Sequence, residues 1–168
     1  TLVEGTDKVV LDTSPSLTIG DITCEGTALE SSLAEAHPVF GAALSITLPE
    51  ASRTLGSKTV IRINYNTSPE SIAIQWLPPS QTSGKVHPYL YTQCQAIHCR
   101  SLLPSQDAPG NKCTYDAELT VQSPLVALMS ALSTGNVQND NGTTTYSFKQ
   151  PVTVPSYLIA MAVGALEK

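Results

Sequence analysis

The sequence predicts an all-β fold, arranged as a curved sheet or open sandwich of about seven to ten strands. Three observations carry this reading. Short apolar runs recur with period two, Gly, Pro, Ser and Asn clusters separate them, and helical periodicity is weak throughout.

The first run, Val9-Val10-Leu11-Asp12, leads through Thr13-Ser14-Pro15-Ser16 to Leu17-Thr18-Ile19. The best helical stretch, residues 28–36, is short and runs into Pro38, which favours a loop or a single turn. Leu44-Ser45-Ile46-Thr47-Leu48 alternates cleanly and stops at Pro49. In residues 59–65, Val60 and Arg62 face one way, and Ile61, Ile63 and Tyr65 the other. Ile72-Ala73-Ile74-Gln75-Trp76-Leu77 ends at Pro78-Pro79. Residues 113–121 and 125–130 follow as further strands. Asn139-Asp140-Asn141-Gly142 signals a hairpin, because Asn-Gly tolerates the positive φ of a type I′ turn, and it leads into a strand over residues 143–148. The last strand is expected over residues 157–163 or a little beyond.

The 168 residues make one ordinary domain. Hydrophobic residues at 41% suffice for a core, while charged residues at 14% fall well under the roughly 25% of ordinary domains. Such a low-charge surface suits a piece that buries faces against a partner. The net charge of −5 and scattered Lys and Arg argue against nucleic acid, whose phosphates call for a basic stripe. No run approaches the roughly 18 apolar residues of a membrane span. The longest, residues 157–166, reads as a buried strand. Thr1-Leu2-Val3-Glu4-Gly5 lacks an initiator Met and a signal peptide's basic and apolar regions, and so reads as a cut or processed end.

Cys24, Cys94, Cys99 and Cys113 allow three disulfide pairings. A chain of this size folds without staples, and Cys is among the most buried residue types, so buried thiols and a cytoplasmic home are expected. Two sequons, at Asn66 and Asn141, leave a secreted β-sandwich binding module as a rival reading.

Catalytic motifs are missing from this stretch. His37, His87 and His98 lack the His-Glu-x-x-His spacing that puts two imidazoles on one helix face. A Gly-x-Ser-x-Gly elbow and a Gly-x-Gly-x-x-Gly loop are also missing. Gly56-Ser57-Lys58-Thr59 resembles the tail of a phosphate loop, but Ala51 stands where its first glycine belongs. Cys94, His98 and Cys99 tempt a metal reading, yet their spacing fits no common zinc knuckle, and adjacent strand residues point to opposite faces. A buried His beside buried thiols is expected instead, with no metal in this chain.

Residues 87–109 read His87-Pro88-Tyr89-Leu90-Tyr91-Thr92-Gln93-Cys94-Gln95-Ala96-Ile97-His98-Cys99-Arg100-Ser101-Leu102-Leu103-Pro104-Ser105-Gln106-Asp107-Ala108-Pro109. This strongly resembles the leukotriene A-4 hydrolase branch of the zinc aminopeptidases, where Thr/Ser-Gln-x-Glu/Gln-Ala precedes Arg and then Pro-Cys-x-Asp-x-Pro. Leu11-Asp12-Thr13, residues 77–85, residues 125–131, and Tyr157-Leu158-Ile159-Ala160 with Val163-Gly164-Ala165-Leu166-Glu167 extend the match over most of the chain. Ser105 departs from it, standing where the family usually has Cys.

The resemblance implies a saddle-shaped N-terminal β domain that abuts a thermolysin-like zinc domain. It implies that residues 1–168 form a single β domain truncated at both ends, lacking strands before Val9 and, after Lys168, the Gly-x-Met-Glu-Asn loop and zinc helix. The intact enzyme would hydrolyse N-terminal peptide bonds with zinc as cofactor, and epoxide hydrolysis stays open. The position of Gln95 would contact the substrate's free amine, with Gln93, Ala96 and Tyr91 flanking the same pocket. Arg100, Pro104, Asp107 and Pro109 would fix a Pro-rich turn, Arg100 and Asp107 as a charge-assisted pair. The expected partners are the catalytic zinc domain and a peptide substrate, with no nucleic acid and no membrane. A stand-alone β interaction or structural module is the alternative.

Overall fold

A computed structural model describes residues 6–167. The terminal Thr1-Leu2-Val3-Glu4-Gly5 and Lys168 lie outside the described residues. Among those described there is no α-helix, and none is long and apolar enough to cross a membrane. Strands and short 3-10 turns make up all the regular structure, and every strand pairing is antiparallel. The all-β expectation holds. The thirteen strands exceed the seven to ten expected, because several are only two to four residues long. By internal contacts the chain divides into two compact units.

The first unit comprises residues up to Ser71 together with Arg100–Gln106. Its strands are β1 (Lys8–Thr13), β2 (Thr18–Cys24), β3 (Thr27–Ala28), β4 (Ser31–Leu33), β5 (Ala42–Thr47) and β6 (Ile61–Asn66). They form two three-stranded sheets, β1-β5-β4 and β3-β2-β6. On β5, Ala42, Leu44 and Ile46 are buried while the residues between them are half-buried, the period-two pattern made physical. Leu44 and Ile46 join Ile22 in a core cluster onto which Leu11, Ile19, Leu29, Ile61 and Ile63 pack. Burying such a side chain fully contributes about 1.5–3 kcal/mol. Residues 28–36 form no helical turn: they hold the last residue of β3 and the short strand β4, which pairs with β5, and are otherwise loop.

The β2–β3 connection is a two-residue turn in which Glu25 (φ 49°) and Gly26 (φ 82°) are both left-handed, the type I′ geometry. Residues 100–106 complete this unit. Asp12 exchanges backbone hydrogen bonds with Ser105 (2.7 and 3.2 Å), and the Ser14 N–H donates to the Arg100 carbonyl at 2.9 Å. The Ser71 hydroxyl donates to the carbonyl of fully buried Ser101 at 2.8 Å.

The second unit contains Ile72–Cys99 and the residues from Asp107 onward. Its strands are β7 (Ile74–Leu77), β8 (Tyr89–Thr92), β9 (Lys112–Gln122), β10 (Val126–Met129), β11 (Leu132–Gln138), β12 (Thr143–Pro155) and β13 (Met161–Gly164). They form the sheets β10-β13-β8-β7 and β11-β12-β9. On β9, Tyr115, Ala117, Leu119 and Val121 alternate inward. Leu119 and Val121 pack with Ile74, Leu125, Tyr146 and Met161 around buried Leu90, Ala127 and Val163.

Other details differ from the sequence reading, among them a β12 that runs on to Pro155. The hairpin at residues 139–142 exists, but only Gly142 (φ 80°) is left-handed. The Gly142 N–H donates to the Asn139 carbonyl and the Asn139 N–H to the Thr143 carbonyl, so the loop has three residues ending in a left-handed Gly. Residues 157–163 are not one strand. Ser156–Leu158 form a 3-10 turn and β13 begins at Met161, because Ser130 holds this corner, its hydroxyl donating to the Leu158 carbonyl and accepting from the Ala160 N–H. Finally, Cys24, Cys94 and Cys99 are buried as expected, whereas Cys113 is exposed, near the start of β9.

Candidate functional site

The residues singled out for substrate contact gather on one segment of the second unit, at and after the end of β8. This strand is held on both sides: Tyr91 pairs with Gln75 of β7 and with Ala162 of β13. The Thr92 hydroxyl fixes the strand end by accepting the Met161 N–H at 2.9 Å. The Gln93 N–H then donates to the Ala73 carbonyl at 2.8 Å, so the chain stays extended one residue beyond the strand. Through this stretch the sides alternate: Tyr91, Gln93 and Gln95 are exposed, Thr92 is half-buried and Cys94 is buried.

The chain turns at residues 95–98, where the Gln95–Ala96 peptide is cis and the His98 N–H donates back to the Cys94 carbonyl at 2.8 Å. His98 and Cys99 therefore do not lie on a strand; Cys99 opens a 3-10 turn, Cys99–Ser101. Gln95 and Ala96 stand at the exposed tip of the turn. The Gln93 side-chain oxygen Oε1 accepts the Gln95 N–H at 3.0 Å, so the first glutamine braces the backbone of the second. Tyr91 stacks on Tyr89, with ring centroids 5.8 Å apart, and is 37% exposed.

Beneath the turn lie Cys94 (2% exposed) and Cys99 (0%), with Asp107 (2%) nearby. The Cys99 thiol, hydrogen-bonded to Cys94, holds the Cys94 thiol below its ordinary value, against burial and the Asp107 charge, which both push it up. Asp107 accepts a 2.6 Å hydrogen bond from the Ser156 hydroxyl. Pro109 is exposed. Arg100 and half-buried Pro104 belong to the first unit, where the Arg100 guanidinium lies 3.7 Å from Asp12 and donates to the Phe40 carbonyl.

A groove of about 610 Å³ belongs to the first unit, lined by Cys24, Glu30, Leu48, Lys58 and Thr59 among others, and it includes none of Tyr91, Gln93, Gln95 or Ala96. The glutamines sit on an open turn rather than in an enclosed cavity. Sequence reasoning missed Thr92 and the linkage of Cys94 to Cys99. The alternation that sets Thr92 between exposed Tyr91 and Gln93 was the signal available for the first, and none was available for the second.

The profile of the Peptidase M1 N-terminal domain family matches residues 1–158. This chain belongs to that family. As an M1 N-terminal domain it is 48% identical over 162 residues to leukotriene A-4 hydrolase of Xenopus laevis, a match covering 95% of this chain and 26% of the relative. It is 43% identical over 166 residues to leucine aminopeptidase 2 of Yarrowia lipolytica, covering 98% of this chain and 24% of that protein. Among solved structures, native leukotriene A4 hydrolase from Saccharomyces cerevisiae superimposes with a TM-score of 0.80 at 31% identity, covering 96% of this chain and 24% of that one. The M1 N-terminal domain described here thus spans about a quarter of the length of these relatives. The resemblance seen in residues 87–109 and the all-β architecture agree with these matches.

Proposed function

We propose that this chain is the substrate-entrance domain of a leukotriene A-4 hydrolase-like zinc aminopeptidase, presenting the side chain of Gln95 to the free amine end of a peptide. The observation that carries the reading is the placement of Gln95. It stands exposed at the tip of a turn whose base is tied down, with its own N–H held by Gln93. An amide there offers an acceptor to an ammonium group and donors to a peptide carbonyl. Gln93 supports this geometry, Ala96 keeps the tip unobstructed, and the face of Tyr91 offers apolar area beside it.

Among the described residues no three His, Cys, Asp or Glu side chains converge to hold a metal ion, so these residues do not fit a zinc site. The hydrolytic chemistry is assigned to the catalytic domain of the parent enzyme, which is this domain's proposed partner. Large apolar side chains left exposed, such as Val60 (80%), Val86 (68%) and Trp76 (57%), favour a chain that covers part of its surface with other protein. The buried thiols of Cys24, Cys94 and Cys99 favour a cytoplasmic parent. Epoxide hydrolysis stays outside the proposal.

The test is Gln95→Leu in the full-length parent, which keeps volume and removes every side-chain hydrogen bond. A bond to a charged amine contributes roughly 1.5–3 kcal/mol, so peptidase kcat/KM should fall by about ten- to a hundred-fold. Melting temperature should hold, because the side chain is exposed. Normal kinetics beside a lowered melting temperature would remove Gln95 from the site.

A further inference from the structure

We propose that Cys94 and Cys99 are a reversible redox pair, closing to an intramolecular disulfide beneath the turn that carries Gln95. Both are thiols, buried at 2% and 0% exposure, and hydrogen-bonded to each other. The backbone brings them together, since the His98 N–H returns to the Cys94 carbonyl and the next residue is Cys99. The other two cysteines are placed differently: Cys24 belongs to the first unit, and Cys113 is exposed on β9.

Hydrogen peroxide is the oxidant that suits this geometry. It is small, and Cys94 lies one residue below the surface, between exposed Gln93 and Gln95. Cys94, flanked on both sides by exposed residues, is the sulfur nearer the oxidant and attacks first, while fully buried Cys99 is the second thiol; the hydrogen bond between them also favours the Cys94 thiolate. Its sulfur takes one peroxide oxygen, the O–O bond breaks, and the departing hydroxide gains a proton to become water, leaving a sulfenic acid. The Cys99 sulfur then attacks the Cys94 sulfur, the S–O bond breaks, and the oxygen leaves with the Cys99 proton as the second water. The sum is two thiols and one peroxide going to one disulfide and two waters. A dithiol reductant reverses it.

Closing the sulfurs from hydrogen-bonding to bonding distance moves Cys94, and with it the flanking Gln93 and Gln95 and the bond between them. That consequence for substrate contact rests on the function proposed above. The thiol chemistry does not, so its test involves no substrate.

The whole chain is titrated with hydrogen peroxide, quenched with iodoacetamide under unfolding conditions, and digested with trypsin. Cleavage after Lys85 and Arg100 gives one peptide holding both cysteines. The expected result is a peptide that has lost two hydrogens and takes up no alkyl groups, restored by dithiothreitol, while Cys24 stays alkylated. With Cys99→Ser, dimedone should instead trap a sulfenic acid on Cys94. Two alkyl groups persisting on the wild-type peptide, at peroxide doses that have already oxidised Cys113, would overturn the proposal without recourse to any variant. So would over-oxidation of Cys94 proceeding as readily in wild type as in Cys99→Ser.

Discussion

Asp107 is 2% exposed, and a carboxyl group so placed is tolerated only while its oxygens have donors. One donor is Ser156, itself 5% exposed, whose hydroxyl lies 2.6 Å from Asp107 Oδ1. Ser156→Ala removes that donor without adding bulk. It should destabilise the chain by about 1.5–3 kcal/mol, the range for hydrogen bonds to charged groups. Urea unfolding should show a lower midpoint with an unchanged slope, and an unchanged midpoint would mean that other donors suffice. At this scale the sequence was legible where residues adjoin and silent where they do not. Gln93, Gln95 and Ala96 stood out as one motif and sit together on one turn. Ser156 lies 49 residues from Asp107, and nothing local marks it as a partner. The hydrogen bond between Cys94 and Cys99 was equally hidden, because four cysteines allow three pairings and spacing does not choose among them.

Glycines separate two kinds of constraint at the scale of the element. Gly142 closes the β11–β12 hairpin at φ 80°, and an added Cβ would meet nothing within 4 Å. Its constraint is backbone alone, so Gly142→Ala should cost about 1–2 kcal/mol, the penalty of a left-handed residue with a side chain. Gly142→Asn should recover part of this. Gly41 precedes β5 at φ 73°, and its Cβ would fall 2.1 Å from the Thr13 carbonyl oxygen. Backbone cannot step aside as a flexible side chain can, so Gly41→Ala should lower the thermal midpoint more than Gly142→Ala; a smaller loss would refute the comparison. Strands marked by clean alternation or by short apolar runs between turn residues were read correctly: β5 and β6 appear where period two placed them, and β1, β9 and β10 where such runs did. The far half of β2 was missed because the register shifts between Ile19 and Ile22, at Gly20-Asp21, and breaks the alternation. The Glu25-Gly26 turn escaped for a chemical reason, since Glu is an unusual residue at a left-handed position. Residues 157–163 misled because apolar composition does not distinguish a 3-10 corner from a strand.

For the molecule as a whole, the assignment of zinc chemistry to another part of the parent gives a direct expectation. After dialysis, elemental analysis should find well under one zinc per chain, and aminoacyl chromogenic substrates should show no turnover that survives a chelator. A tightly held equivalent of zinc would contradict the reading. The division into two units has a consequence of a different order. The first unit is discontinuous in sequence, because Arg100–Gln106 belong to it while the residues on either side of them belong to the second. That short segment brings buried Arg100, Ser101 and Leu102, the two-way bridge from Ser105 to Asp12, and the carbonyls that take up Ser14 and Ser71. A polypeptide cut after residue 71 would leave those donors and that apolar surface facing water. Neither half is therefore a cassette: no single cleavage frees a complete unit, and dissection, domain exchange or a new exon boundary near residue 71 would yield two incomplete pieces.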